Sequence, residues 1–516
     1  MVSLVATSSI VSPASQPEER PDGPSHPEVE SAVVATRPKS NQTAEQIAQI
    51  VVLTLLFASP ALICVHGAVV ADPDVWWHLR TGEWMMQHHA LPRVDTFSAT
   101  NAGKPYAAYS WLFELLITKW FQYGGLAGLV GYSASMVLAI AVASRHLIKR
   151  LQTDFSLVAL FSFVACFTLS RLFTPRPWLF TILFFVLELD ILMHARKTGK
   201  TRELLWLPLI FALWANIHIQ FIDGLLVLGL ALAEAIASHW KIGVPTRLRA
   251  WPLWAALGGS ILGTLVNPFG WHIYRVAYDL ASQPGVLNKI TELSALHFRD
   301  FHDFLLLFFV LAAAAALGSD GRFRVFEIGL FLFATVVSFR SQRDIWVMAF
   351  VAALILASSV AGRGEPPVRT PRIASTVAMA LAALAVFASF HIWHVNNALL
   401  DKEMVENLPE AAVHEIQAKG YTGPLYNDFN WGGYLIWALR MPVSIDGRAA
   451  FYGDDAIDRS NDTWTGTPDW ASDPQLKSAG LVIGPVKMPL TQLLRTDAHY
   501  KLVYEDKLAA VFIARK

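Results

Sequence analysis

Only two cysteines occur in 516 residues. Cys64 and Cys166 both fall inside apolar runs, where a thiol packs as a small core residue rather than as half of a disulfide or metal pair. Charge is scarce as well, at 16% of residues, and 41 basic side chains balance 41 acidic ones. With no bulk basic surface, nucleic acid is excluded as a partner class. His78, His88, His89, His218 and His272 lack the spacing of a zinc site, so each is read as an interfacial or hydrogen-bonding residue. No segment repeats another, which weighs against a transporter built from paired repeats.

What the sequence has in quantity is apolar residues, 54% of the chain, gathered into long blocks. A hydrocarbon core of about 30 Å needs roughly 20 apolar residues in a helix, because no backbone polar group is left unpaired in lipid. The blocks predict about eleven transmembrane helices, near Ile47–Val70, Gly125–Ile148, Phe155–Ser170, Trp178–Met193, Leu204–Ile217, Phe221–Ala237, Trp251–Val266, Phe304–Leu317, Val325–Phe339, Ile345–Ala361 and Ala374–Trp393. Several are short for a straight crossing, and hairpins that dip without crossing stand as an alternative.

Residues 1–46 are polar and rich in Pro, Ser and Glu, and are read as a disordered cytoplasmic tail. Small residues at Val69 and Ala71 mimic a signal cleavage site, but so long an acidic tail ahead of them is atypical. With the amino terminus inside, five successive loops carry basic residues on the cytoplasmic face: Arg145, Lys149 and Arg150; Arg196, Lys197, Lys200 and Arg202; Lys241, Arg247 and Arg249; Arg322 and Arg324; Arg363, Arg369 and Arg372. That pattern obeys the positive-inside rule. It puts the connections 71–124 and 267–303, and everything after Trp393, on the outer face. Glu188, Asp190 and Glu234 fall towards the cytoplasmic ends of their spans, where interface placement explains them.

Unusual residues gather on that outer face. The first outer loop reads Asp72-Pro-Asp-Val-Trp-Trp-His-Leu-Arg-Thr-Gly-Glu-Trp, and Asp74, His78 and Gly82 share one helical face. Trp76, Trp77 and Trp84 suit a helix lying in the membrane interface, and a second amphipathic stretch, Trp111–Gln122, carries Glu114. Asp72 equally suits a helix N-cap, since Asp-Pro commonly opens a helix. Further outer connections hold Arg171 and Arg176; Asn216, His218, Gln220 and Asp223; Asn267 and His272; and Arg340, Arg343 and Asp344. These arginines run against the positive-inside bias, so a lipid phosphate or diphosphate gripped by guanidinium groups is the functional reading. Snorkelling to headgroups or pairing with carboxylates is the structural one. A divalent cation, Mg or Mn, held by Asp74 and a phosphate is a candidate cofactor, with no fingerprint in the sequence to mark it.

After Trp393 the pattern changes to a helix at Met404–Lys419 and short strands at Gly423–Tyr426, Val443–Ile445, Gly480–Ile483, Tyr500–Tyr504 and Ala509–Ile513, with a helix at Trp431–Leu439. A small extracytoplasmic α/β domain over 394–516 is expected, following the membrane domain 47–393. Asp428, Asn430, Asp446 and Arg448 fall at predicted strand ends, where open sheets bind ligands and where turns also use the same residues.

The Asp-Pro-Asp outer loop, the amphipathic helices in that loop, the many spans and the outer C-terminal domain together resemble the GT-C superfamily of membrane glycosyltransferases, which use polyprenyl-phosphate-linked sugars. The resemblance covers the spans as architecture and matches at motif level only at Asp72 and Asp74. It implies that Asp74 or Asp72 acts as general base on an acceptor hydroxyl, with inversion at the sugar carbon. It further implies substrate contacts from His78, Glu114, Arg171, Arg176, His218, Arg340, Arg343, Asp446 and Arg448, the arginines steadying the leaving lipid phosphate. The partners implied are the bilayer, a polyprenyl-phosphate-linked sugar and a lipid or glycan acceptor. The paired tryptophans and the histidine after the aspartates depart from characterised branches and leave donor and acceptor open. A lipid or lipid-linked-sugar flippase is the alternative, followed by a lipid-linked polymer ligase and a partner-binding scaffold. With no eukaryotic retrieval signal at Ala514-Arg-Lys, a bacterial inner membrane is the simpler location.

Overall fold

The computed structural model describes residues 39–67, 72–282, 290–319, 321–360 and 371–515. The chain divides into two units, Met1–Glu45 and Gln46–Lys516. Most of the expected cytoplasmic tail, the small residues at Val69 and Ala71, and Arg363 and Arg369 lie outside the described residues.

An apolar helix occurs at each of the eleven expected places, but they differ in length. Seven are long and apolar enough to cross a membrane: Thr43–His66, Trp111–Leu151, Trp178–Thr198, Phe221–His239, Phe301–Ser319, Gln342–Ser359 and Arg372–Ile392. The other four, Phe155–Phe167, Leu207–Ile217, Ala250–Thr264 and Val325–Arg340, have 13, 11, 15 and 16 residues. At about 1.5 Å per residue these fall short of a hydrocarbon core. The chain is an integral membrane protein.

Burial sorts the helices. Ile345–Ser359 is apolar all round and buried continuously from Ile345 to Ala357, with Phe301–Ser319, Val325–Arg340 and Phe155–Phe167 packed about it. Arg372–Ile392, by contrast, leaves Ile373, Leu384 and Phe387 exposed, as a helix facing lipid does. The embedded charges are mostly paired. Arg150 Nη2 donates to Asp190 Oδ2 at 2.7 Å, and Arg196 donates to Glu234 and Glu327 at 2.8 and 3.0 Å. Glu188 is not at an interface as expected: it is fully buried in the bundle, and neither carboxyl oxygen has a hydrogen-bond partner.

Two stretches that read separately, Trp111–Gln122 and the span from Gly125, form one rod with a sharp break. Gly125 has φ 59° and ψ −145°, a region open to glycine alone. Asn397, from the helix Asn397–Asn407, braces the break by accepting from Ala127 N at 2.8 Å.

The first-loop helix Val75–His88 does not rest in the interface as its tryptophans led us to expect. Trp76 is fully buried against Tyr434 and Trp437, with ring centroids 5.4 and 4.8 Å apart. The helix is sandwiched between Trp111–Leu151 and a C-terminal helix, Gly432–Leu439. Its indoles therefore bury against protein.

The C-terminal region holds a four-stranded sheet of order β1-β2-β4-β3. Here β1 is Leu425–Asn427, β2 Leu481–Pro485, β3 Tyr500–Glu505 and β4 Ala509–Ala514. β1 runs parallel to β2, and the remaining pairs are antiparallel. Met404–Lys419 is not one helix but two, Asn397–Asn407 and Glu410–Lys419, parted at Pro409. A proline lacks the donor needed to continue a turn. Val443–Ile445 is not a strand of the sheet either. Val443 instead pairs singly with the first loop, donating to Phe97 O at 3.0 Å and accepting from Ala99 N at 2.8 Å.

Gly125→Ala would place a methyl group 2.7 Å from the Asn397 amide on a backbone that L residues avoid. The expected cost is about 1–3 kcal/mol, read as a lower midpoint of thermal unfolding in detergent with the break in the rod disturbed. An unchanged midpoint would show that the break is not a constraint of the fold.

Candidate functional site

The Asp-Pro-Asp loop and the loop ahead of Trp178–Thr198 meet at one guanidinium. Arg176 Nε donates to Asp72 Oδ1 and Oδ2 at 2.8 and 2.7 Å, its Nη1 donates to Asp74, and its Nη2 lies 3.8 Å from Glu292 Oε2. Its planar face stacks on Trp178, 4.9 Å from the ring centroid. Burial disfavours the charge, but Asp72, Asp74 and Glu292 outweigh it and hold Arg176 above the ordinary arginine range.

The two aspartates have different surroundings. Asp72 is buried, and its Oδ1 also accepts from Asp74 N at 2.9 Å, so it ties the loop together. It is not the N-cap: Asp74 holds that position and makes no side-chain capping bond. The Asp74 carboxyl turns instead to Arg176 and to a cavity of about 620 Å3. Burial pushes Asp74 up to about 7, against the pull of Arg176 and with the repulsion of Asp72 and Glu292.

The same cavity is lined by His78, Arg176, His218, Glu292, Arg343, Gly447 and Arg448. His218 Nδ1 lies 2.8 Å from Thr181 Oγ1, and burial together with the Arg343 charge lowers its pKa to about 3, so the ring is neutral. His78 Nδ1 lies 3.2 Å from Glu114 Oε1, which is itself buried behind it.

The Asp446-Gly-Arg segment reaches the site from the C-terminal region. Asp446 Oδ1 accepts from Arg448 N and Nε at 2.9 and 2.8 Å, and its Oδ2 accepts from Arg448 Nη2 and Tyr452 Oη at 2.7 and 2.5 Å. Arg448 Nη1 donates across to Asp95 Oδ1 of the first loop at 2.6 Å, with Phe97, Tyr106 and Phe451 around the guanidinium. This knot presses Gly447 against Asp74: a Cβ at 447 would stand 1.8 Å from Asp74 Oδ1. Asp446 and Arg448 therefore shape the site, Arg448 from its wall.

The arginines anticipated as anion ligands separate by what already satisfies them. Arg176 and Arg448 are each held by carboxylates. Arg171 donates to Asp303 and to Gln342 Oε1 at 3.1 Å and lies away from the cavity wall, while Arg340 is exposed and lines none of it. Arg343 does line the cavity, has a buried Nε without a hydrogen-bond partner, and approaches Asp344 only to 3.9 Å. Asp344 in turn is engaged by Gln220 Nε2 at 2.6 Å. Asp95, Tyr106 and Glu292 were missed in the sequence, where nothing marks them until Arg448 and Arg176 are placed beside them.

The carboxylates that converge, Asp72, Asp74 and Glu292, do so on the guanidinium of Arg176. Among the described residues no group of three or more His, Cys, Asp or Glu side chains is placed to hold a metal ion.

The fold has counterparts among solved membrane-protein structures. The chain superposes on the archaeal oligosaccharyltransferase AglB from Archaeoglobus fulgidus, in complex with an inhibitory peptide and a dolichol-phosphate. The TM-score is 0.55 at 11% identity, covering 86% of this chain and 70% of that one. A second structure of the Archaeoglobus fulgidus oligosaccharyltransferase, tethered with an acceptor peptide containing the NVT sequon, gives 0.52 at 11% identity over 93% and 75%. ArnT from Cupriavidus metallidurans bound to undecaprenyl phosphate gives 0.49 at 15% identity over 89% and 97%. No family model matches the chain, and no curated protein matches it in sequence. The shared property at such identities is the fold.

Arg176→Met would leave Asp72 and Asp74 buried without their counter-charge. The expected loss is about 3–5 kcal/mol, seen as a lowered midpoint of thermal unfolding in detergent. Asp72→Asn with Arg176→Met should recover part of that loss, since one stranded charge is then gone. A midpoint unmoved by Arg176→Met would mean that the cluster does not hold the loop.

Proposed function

We propose that this protein is a glycosyltransferase of the GT-C type, moving a sugar from a polyprenyl-phosphate donor to an acceptor hydroxyl. The observation that carries the reading is one cavity lined both by a carboxylate with a raised pKa, Asp74, and by a guanidinium whose buried Nε has no hydrogen-bond partner, Arg343. General base and anion holder are the two groups that such a displacement requires. The dolichol-phosphate in the AglB structure supports a lipid-phosphate donor for the shared fold.

In this mechanism Asp74 takes the proton of the acceptor hydroxyl as its oxygen bonds to the anomeric carbon. The bond from that carbon to the phosphate oxygen breaks on the opposite side, which inverts the centre. The electron pair stays on the lipid phosphate, where Arg343 offsets the developing charge. Asp72 and Arg176 hold Asp74 in place, and Arg176 already supplies positive charge beside it, so no step is routed through a divalent cation. Positive-inside charge distribution supports placing the cavity and the C-terminal sheet on the outer face.

The test is transfer of labelled sugar from a panel of polyprenyl-phosphate donors by the purified protein in lipid. Asp74→Asn should lower the rate by about 10²–10⁴-fold while donor still binds, and Arg343→Ala by about 10²–10³-fold. Because the base must be ionised, the parent rate should rise as pH passes through about 7 and level off above it. A rate already flat below pH 6 would remove Asp74 as base. No transfer from any donor, alongside saturable lipid movement across vesicles, would make the protein a flippase.

A further inference from the structure

His78 lines the cavity beside Asp74 and is among the polar side chains that this mechanism leaves without a task. It follows Asp74 by one helical turn, its N donating to Asp74 O at 3.3 Å, so both side chains leave the same face of Val75–His88 and line the same cavity. The imidazole is packed between Trp77 and Phe113, with ring centroids 3.6 and 5.1 Å away, and has one orientation available.

That orientation is set by Glu114, in the first turn of Trp111–Leu151. The two helices approach closely because position 82 is glycine: a Cβ there would lie 2.1 Å from Thr118 Oγ1 and 2.3 Å from Glu114 O. Thr118 Oγ1 also donates to Leu79 O at 3.2 Å, clamping the pair. Glu114 Oε1 is thereby held 3.2 Å from His78 Nδ1. With Nδ1 donating to Glu114 Oε1, which accepts whether the group is carboxylate or the carbonyl oxygen of the acid, Nε2 is left as a lone-pair acceptor. Burial, with the charge of Arg176 nearby, holds His78 well below the ordinary imidazole range, so the ring is neutral. Among the described residues Nε2 has no hydrogen-bond partner.

We infer that His78 is a positioning residue for the acceptor, its Nε2 accepting a hydrogen bond from the hydroxyl beside the one whose proton goes to Asp74. Two acceptor groups one helical turn apart, about 5–6 Å between their Cβ atoms, have side chains long enough to converge on two hydroxyls of one acceptor. The acceptor class is therefore a sugar with adjacent hydroxyls, rather than a simple alcohol or a hydroxyl-bearing side chain. This rests on the transfer reading above.

The experiment measures acceptor and donor KM for the parent, His78→Leu, His78→Gln and Glu114→Leu in lipid, each with a glycan acceptor and with its analogue lacking the adjacent hydroxyl. For the parent, loss of that hydroxyl should raise acceptor KM about tenfold, the worth of one hydrogen bond of about 1.4 kcal/mol. His78→Leu should raise KM by the same factor for the full acceptor and not at all for the analogue, with donor KM unchanged. Glu114→Leu should lie between the two, and His78→Gln, which keeps an acceptor oxygen, should recover most of the affinity.

If His78→Leu and His78→Gln change both acceptors equally, or change donor KM instead, the positioning role is overturned while the transfer reading stands. Transfer by the parent to simple alcohols as readily as to glycans would overturn the acceptor class. If the parent transfers from no donor, the transfer reading itself fails and takes this inference with it.

Discussion

The site hangs on one guanidinium among three carboxylates. Arg176 is fixed by Pro177 and the helix start behind it, and it draws Asp72, Asp74 and Glu292 from separate segments of the chain to one place. Each carboxylate alone would be costly to bury beside a membrane bundle. Gathered on Arg176 they are offset by its charge, and the burial that comes with this packing leaves Asp74 with a raised proton affinity. The feature that stabilises the loop is therefore also the one that tunes its chemistry.

The C-terminal region completes this arrangement and is not an independent appendage to it. Trp76 buries under Tyr434 and Trp437, Val443 bonds to the first loop, and Arg448 reaches Asp95. These contacts bring the Gly447 backbone so close to Asp74 that no side chain would fit. The first loop can hold its shape only with that region in place, which explains why polar residues so far apart in the chain converge on one cavity.

Selectivity among the arginines follows from saturation. A guanidinium has a limited set of donors, and those already spent on carboxylates cannot also grip a phosphate. Arg171, Arg176 and Arg448 are structural by that measure, whereas Arg343 keeps a buried Nε without a partner at the cavity wall. Counting arginines on one face of the membrane overstates the anion site. Following their partners leaves Arg343, among the arginines anticipated as anion ligands, as the one at the cavity wall not held by close carboxylates.

The sequence by itself determined the apolar helices, their approximate places, most of the short strands after Trp393 and the acidic first loop, because hydropathy, helical period and turn chemistry are local properties. It also marked Asp74, His78 and Arg343 as unusual for their positions. Only the tertiary structure decided which charges neutralise one another, since Asp72 and Arg176, or Arg448 and Asp95, are joined by packing across a hundred residues or more. The same holds for the buried first-loop helix: its tryptophans have the pattern of an interfacial helix, and only the helix Gly432–Leu439 laid over them distinguishes protein from lipid. Short helices met the same limit. An apolar run announces burial, but whether it crosses a bilayer or stops within the bundle depends on its neighbours and on its length against the bilayer's thickness.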